Sequence, residues 1–542
     1  MRFSPQANLR TIILHAAARR NRPVVDADRT TTIEAESNEY RMPISTIPTA
    51  TPATRSSLRL IDPPLFAIDL LHDLNRVIEF DAEISFNDGV FGQSTSSTKF
   101  MCGTKLQLDR FCIWLFRRTT MIIALRSLIN HSILHGSLTL ELPAGEHLTA
   151  GDGSGAPLTI RLKDMRAVRE LLLNPELALG ELYTDGRLTV SGGTIYDLLD
   201  LLGRNLPSLT PPQIGRWRHA VRTVFDRWRR GNSERLARCN VHHHYDIDDR
   251  IYSLFLDPDR QYSCAYFESE RQNLEQAQLA KKRHIAAKLL VPTGASVLDI
   301  GSGWGGLALY LADLYKAHVT GLTLSTEQLK VAERRADEKG LKSHVCFRLQ
   351  DYRAQSDTFD RVVSVGMFEH VGRRNYDTFF KVISGSLKPD GIALLHSIGR
   401  LDGQSATNPW IAKYIFPGGH IPSLGEVLPA VEKSGLIVTD IEILRLHYAD
   451  TLAAWRDRFF AHRAEATTIL GERFCRMWEF YLAGAEAGFR HGGLMVFQMQ
   501  LAKKIDTVPR TRTYIAEEES RLQSLDQGAA ERATPMRLIH SR

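Results

Sequence analysis

Between residues 121 and 202 the apolar positions recur first at a short helical spacing and then alternate with polar ones. SLTLEL and PLTIRLKD alternate as half-buried strands do, and Asp185-Gly186 and Gly192-Gly193 punctuate later turns. NPELALGELYTDGRLTV joins a helix to a strand. This pattern predicts a small α+β domain over 121–202. From about 285 to 400 the period changes. ASVLDI, HVTGLTL, FDRVVSVG and GIALLHSIG read as strands, separated by helical stretches such as GGLALYLADLYKA and STEQLKVAERRADEKG. Strands alternating with helices predict an α/β fold: a doubly wound, mainly parallel sheet whose ligands sit beyond the carboxyl ends of the strands. It is expected to fill a catalytic domain over 241–510, with a tail at 511–542.

Between the two, residues 203–240 are expected to form a basic linker helix. Trp217, Val221, Val224, Phe225 and Trp228 share one face, among Arg216, Arg218, Arg222, Arg227, Arg229 and Arg230. Such a helix suits an anionic membrane surface, and equally a face packed on the catalytic domain. Residues 1–110 lack periodicity and include the Ser/Thr/Pro-rich MPISTIPTATPATRSS, which predicts a disordered segment or an extension upstream of a start at Met121. A less favoured reading is an organelle presequence, from Arg2, Arg10, Arg19 and Arg20 with no acid among the first 20 residues.

The chain has 542 residues, room for two or three domains, and its net charge of +6 permits anionic partners without demanding them. The nearest approach to a membrane span, FCIWLFRRTTMIIALRSLI, is broken by Arg117, Arg118 and Arg126, so any membrane contact is expected at the surface. Six scattered cysteines without a C-x-x-C pair argue for a reducing compartment and against disulfides or zinc. No metal is expected at His242–His244, since adjacent histidines do not readily share an ion. No nucleic-acid-binding motif accompanies the arginines.

The local motif with most chemistry is VLDIGSGWGG, Val297 to Gly306, which ends a strand and opens a helix. Gly301, Gly303 and Gly305 let the backbone turn tightly around Ser302 and approach a ligand. The spacing is not that of a dinucleotide fold, and Asp299 suits a cationic amino-acid ligand better than a diphosphate. S-adenosylmethionine is the expected ligand; a dinucleotide site or a purely structural turn is the alternative. Thr323, Ser325 and Gln328 in TLSTEQ are candidates for the ribose hydroxyls, and Asp351 and Tyr352 for the adenine. A cap or loop role is the alternative for each.

Several further motifs follow in order: NVHHHYDIDDRIYSLFLDPDRQYSCAYF, VLDIGSGWGGLALYLA, GLTLSTEQ, GMFEHVGRRNY, KYIFPGGHIPSL, HYADTLAAWRDRF and FYLAGAEAGFRHG. Together they resemble cyclopropane fatty-acyl-phospholipid synthases and mycolic acid cyclopropane synthases over about residues 121–504. The resemblance implies a class I S-adenosylmethionine-dependent methyltransferase fold. It also implies transfer of a methylene to cis double bonds of unsaturated phospholipid acyl chains in a membrane bilayer. A bacterial enzyme is implied, held peripherally on the inner, cytoplasmic face of the plasma membrane and compatible with a homodimer. It implies a bicarbonate ion near Cys264, Glu369, His396, Tyr448 and the backbone of Ile398. Tyr262, Ser263, Gly301–Gly306, Thr323–Gln328 and Tyr352 match the cofactor pocket.

The chain departs from the family pattern at Ala485, where many members carry a cysteine, and around IDDRIY, which is more acidic. The alternatives are a relative making methyl- or methylene-branched chains or methylating a small molecule, and a non-catalytic membrane-binding relic. Alkene attack on a sulfonium methyl leaves a carbocation, so a base and a dry cavity are needed. Glu369 and His396 are expected at the carboxyl ends of adjacent strands, gripping the ion. Trp455, Phe459, Phe460, Trp478, Tyr481 and Phe489 are candidates for an acyl tunnel, with helical core packing as the alternative.

Overall fold

The computed structural model describes residues 118–206, 248–403 and 405–533. The expected extension over 1–110, nearly all of the basic linker and the His242–His244 run lie outside the described residues.

Two sheets organise the rest. After a helix over 118–132, the smaller sheet has the order β2-β1-β3-β4. Its strands are β1 (Leu138–Glu141), β2 (His147–Ala150), β3 (Leu158–Leu162) and β4 (Leu188–Ser191). β1 pairs in parallel with β3 and antiparallel with β2. Leu138, Leu140, Leu158, Ile160 and Leu162 point inward, as the alternation in the chain requires. Helices α1 (Met165–Leu173), α2 (Pro175–Thr184) and α3 (Ile195–Asn205) complete this layer. Pro175 sits in the first turn of α2, and Thr194 and Asp197 cap α3 reciprocally.

The larger sheet has seven strands in the order β10-β11-β9-β8-β5-β6-β7. They are β5 (Ser296–Ile300), β6 (His318–Thr323), β7 (Val345–Leu349), β8 (Phe359–Val365), β9 (Leu387–Arg400), β10 (Ile437–Ile443) and β11 (Leu494–Ala502). The five strands β5 to β9 are parallel; β11 alone runs against its neighbours. The chain is therefore an α/β protein with an open, mainly parallel sheet, and its order reverses beside β5, where ligands of such sheets bind.

Helices α4 (Asp249–Phe255), α5 (Leu274–Leu289), α6 (Gly306–Tyr315), α7 (Thr326–Glu338), α8 (Tyr376–Ser386), α9 (Pro409–Tyr414), α10 (Leu424–Lys433), α11 (His447–Ala461), α12 (Arg463–His491) and α13 (Thr513–Ala533) surround it. Two apolar clusters pack on the faces of the large sheet. A third runs continuously from the small sheet through α4, α11 and α12. Polar bonds join the same layers: Tyr183 donates to Glu479 at 2.9 Å, and His491 pairs with Asp200 at 2.8 Å. Among the described residues, no helix is long and apolar enough to cross a membrane.

Candidate functional site

The first cavity lies beyond the carboxyl end of β5. There Gly301, Gly303 and Gly305 have φ of 85°, 55° and 82°. Such backbone is open to glycine and strained for other L-residues. The amides of Gly301 and Ser302 both donate to the Leu322 carbonyl, which folds the turn onto β6. A Cβ on Gly301 would stand 2.8 Å from the Met367 side chain. Asp299, Gly301, Ser302, Gly303, Thr323, Gln328, Asp351 and Tyr352 all line this cavity.

Burial raises the Asp299 carboxyl to about 7, opposed by the charge of Lys281. Burial lowers the Lys281 ammonium to about 8. Lys281 donates to Gln261 Oε1 at 2.6 Å and to Ser263 Oγ at 2.8 Å, so it holds the Tyr262–Ser263 segment over the cavity. A buried carboxylate and a buried ammonium on one wall match the zwitterionic end of an amino-acid ligand. Thr323 Oγ1 donates to Gln328 Oε1 at 2.9 Å, leaving a hydroxyl–amide pair at the end of β6.

Some expected residues have other tasks. Gly305 stays out of the wall: its missing Cβ makes room for Phe347, which would be 2.6 Å away. Ser325 caps α7, accepting from the Gln328 amide at 3.3 Å. Asp351 lines the cavity, but Arg353 grips its carboxylate at 2.7 and 2.8 Å.

A second, largely apolar cavity adjoins the first. Tyr262, Ser263, Gly366 and His370 belong to the walls of both. Burial pushes the His370 ring down to about 4, so this junction carries a neutral imidazole at physiological pH. Cys264, Glu369, His396, Ile398 and Tyr448 all line the second cavity.

Glu369 sits on the 3-10 turn Phe368–His370 that follows β8. Its Oε1 accepts from the Ile398 amide at 2.6 Å. Its Oε2 is buried and has no hydrogen-bond partner among the described residues. Burial raises its carboxyl above the usual range, against the Ile398 hydrogen bond. His396 lies within β9, opposite Val365, and not at the strand's end, because β9 continues to Arg400. Burial, with the nearby charges of Lys281 and Lys288, drives its ring well below the usual histidine value. Tyr448, in the first turn of α11, packs on Phe489 at 4.8 Å. The Cys264 thiol is fully buried and raised by that burial; its Sγ donates to the Ala265 carbonyl at 3.2 Å.

Of the six candidate tunnel aromatics, Tyr481 and Phe489 reach this cavity. Trp455, Phe459 and Trp478 are fully buried around Phe255, and Phe460 is exposed. Helical core packing explains the first three; Phe460 meets neither the core nor the cavity. The other large apolar contributions come from afar: Leu179 and Leu199 from the small layer, Ile411 and Phe416 from the α9 region. Lys281 and His370 escaped the sequence reading. Lys281 stands in LAKKRHIAAKLL, whose charges resemble a solvated face, yet Lys281, Lys282, Arg283, His284 and Lys288 are all buried.

Residues 232–499 match the family model of mycolic acid cyclopropane synthetase. The chain is 39% identical over 351 residues to cyclopropane-fatty-acyl-phospholipid synthase of Escherichia coli (strain K12), covering 65% of this chain and 89% of that protein. It is 34% identical over 391 residues to tuberculostearic acid methyltransferase UfaA1 of Mycobacterium tuberculosis, covering 70% and 90%. The solved structure of cyclopropane synthase MmaA2 from Mycobacterium tuberculosis is 36% identical, covers 49% of this chain and 98% of its own, and superposes with a TM-score of 0.47. Nine-tenths of the Escherichia coli enzyme is thus matched at well over 30% identity, and the chain belongs to the cyclopropane synthase family of S-adenosylmethionine-dependent methyltransferases.

Proposed function

We propose that this protein is a cyclopropane-fatty-acyl-phospholipid synthase, transferring a methylene from S-adenosylmethionine to cis double bonds of unsaturated phospholipid acyl chains. The observation that carries this reading is the shared wall. A cavity built on a glycine turn and a second, more strongly apolar cavity meet at Tyr262, Ser263, Gly366 and His370. A sulfonium methyl held on one side and an alkene on the other meet there without water between them. Holding the two in line accounts for roughly 7–11 kcal/mol of barrier lowering.

The alkene π-electrons form the new C–C bond as the C–S bond breaks, and the resulting carbocation must lose a methyl proton to close the ring. Glu369 Oε2 is buried, has no partner among the described residues, and is able only to accept while ionised. Neutral His396 offers a ring N–H across the same cavity, and Tyr448 a hydroxyl. Such a set fits a small oxyanion that carries its own O–H, and bicarbonate, the ion that the family resemblance implies, is one. When bound it supplies the base that removes the proton. The chain's residues hold it in one orientation, and apolar walls keep water from the cation. We read the approach to lipid as peripheral, on the cytoplasmic face of a bacterial membrane. Dimerisation is compatible with this reading.

The test incubates the full chain with isotope-labelled S-adenosylmethionine and vesicles of unsaturated phospholipid. The expected product gains one CH₂, loses the alkene and shows a ring by NMR. Omitting bicarbonate from CO₂-free buffer slows turnover, and adding it back restores the rate. A methyl- or methylene-branched chain would instead select the second reading, which the similarity to tuberculostearic acid methyltransferase favours. No transfer to any lipid would sink both.

A further inference from the structure

We infer that Lys288 and Gln498 are positioning residues that lock His396 into one tautomer, with its proton on Nε2 and turned to the acyl-side cavity. The argument is one of donors and acceptors. Lys288, in the last turn of α5, is fully buried, and its Nζ stands 2.9 Å from Gln498 Oε1. An ammonium only donates, so the Gln498 atom facing it is the oxygen. The reverse amide orientation would set N–H groups against N–H groups. The Gln498 amide nitrogen therefore points the other way, 3.2 Å from His396 Nδ1. An amide nitrogen also only donates, so Nδ1 is the acceptor. A neutral ring with a bare Nδ1 carries its proton on Nε2.

The backbone fixes this relay. Gln498 in β11 is the register partner of His396 in β9, and it is fully buried. Lys288 is fixed from its other side. It forms a salt bridge with Glu442, whose Oε2 also lies 2.7 Å from His284 Nε2. His284 Nδ1 in turn meets Glu519 of α13 at 2.6 Å. A chain of polar groups thus runs from α13 to the imidazole, and its last two links, Lys288 to Gln498 and Gln498 to His396, each have one allowed direction.

The consequence rests on the proposed cyclopropane-synthase reading; the tautomer does not. With Nε2–H facing the cavity and Glu369 Oε2 accepting, the site presents one donor and one acceptor to its ion. In the other tautomer both His396 and Glu369 would only accept, and a bound oxyanion would lose a donor.

The test uses the full-length protein labelled with ¹⁵N in its histidine rings, with His396 assigned by its absence in His396→Asn. Two-bond ¹H–¹⁵N spectra are expected to show the Nε2–H form; the Nδ1–H form would overturn the inference outright. Gln498→Glu keeps the shape and replaces the donating N–H by an accepting oxygen. The ring then gains a proton on Nδ1, and kcat falls at least about 100-fold, the scale of lost acid–base function. S-adenosylhomocysteine affinity stays within about twofold, because that ligand sits on the other side of the shared wall. Lys288→Met frees the amide and yields a mixture of both tautomers. An unchanged ring in a folded Gln498→Glu protein overturns the role of Gln498, and an unchanged ring in folded Lys288→Met that of Lys288. Should neither variant fold, the wild-type spectrum still decides. Bicarbonate-independent turnover in a protein with the Nε2–H form would overturn the proposed role of bicarbonate, and no transfer to any lipid the proposed function; either would leave this inference standing.

Discussion

The two cavities are built in opposite ways. The donor side is drawn entirely from residues between 260 and 371, mostly as short runs at the ends of β5, β6, β7 and β8. The acyl side gathers residues from 175 to 496, reaching from α2 to β11. The first is shaped by backbone, through glycines and strand ends; the second by side chains brought together only in the folded chain. A nucleoside ligand needs amides and hydroxyls at fixed positions, which a single turn provides. A lipid tail needs apolar volume, which almost any helix faces can provide.

The sharpest break between them is expected at Glu369. Glu369→Gln keeps the volume and an oxygen for the Ile398 amide, and places an N–H2 where Oε2 now offers an unused acceptor. We expect kcat to fall by about 10²–10⁴-fold, the range for lost acid–base function, while donor affinity measured by calorimetry is unchanged. Near-normal turnover would remove Glu369 from the chemistry. The reciprocal change is Gly301→Val. At φ 85°, with Met367 2.8 Å from the new Cβ, the turn must shift. A strain of about 2–3 kcal/mol corresponds to a donor affinity weaker by about 100-fold. Lipid-vesicle binding by sedimentation should be unaffected; equal losses on both sides would show that the cavities are not separable.

The same contrast explains what was legible in the amino-acid sequence. The doubly wound sheet followed from alternating periods, and VLDIGSGWGG located the glycine turn that lines the first cavity, because strand, turn and helix are consecutive there. Cys264, Glu369, His396 and Tyr448 came together only through resemblance to a family, since nothing in the periodicity says that Tyr448 of α11 faces β8. The late aromatics were ambiguous for a physical reason. Trp455, Phe459 and Trp478 recur at helical spacing, and that spacing marks a buried helix face without saying which buried space it meets. Lys281 and Lys288 were hidden by their charge. From Ala280 to Leu289 α5 is buried at every position, and its cations are matched by polar groups from distant segments, among them Gln261, Glu442 and Gln498.

A smaller effect sharpens the donor side further. Asp299 titrates at about 7 in the donor-free protein because burial disfavours its charge. Below pH 7 the carboxyl is neutral and a cationic ligand must bear the cost of ionising it; above pH 7 the charge is already present. Affinity for S-adenosylhomocysteine should therefore weaken by about tenfold from pH 8 to pH 6, one unit on each side of the midpoint. Calorimetry at pH 6, 7 and 8 measures this, and Asp299→Asn should flatten the profile. A wild-type affinity that does not change with pH would mean that Asp299 stays ionised throughout.

The smallest expected effect lies on the acyl side, at Ala485, which lines that cavity from α12 where many family members carry a cysteine. If a thiol there were the nucleophile or the base, Ala485→Cys would restore a missing group and raise the rate by orders of magnitude. The proposed chemistry leaves nothing for it to do: the alkene supplies the electrons, and the base is held at Glu369 and His396. A thiol in an apolar cavity also stays protonated, as burial enforces for Cys264 in the same wall. It then behaves as a small apolar filler, and kcat and KM should stay within about threefold of the natural protein. The informative readout is the slope of rate against pH. A new ionisation near the thiol range, absent from the natural protein, would give Ala485→Cys a chemical role and move the proton-removing function away from the Glu369–His396 side of the cavity.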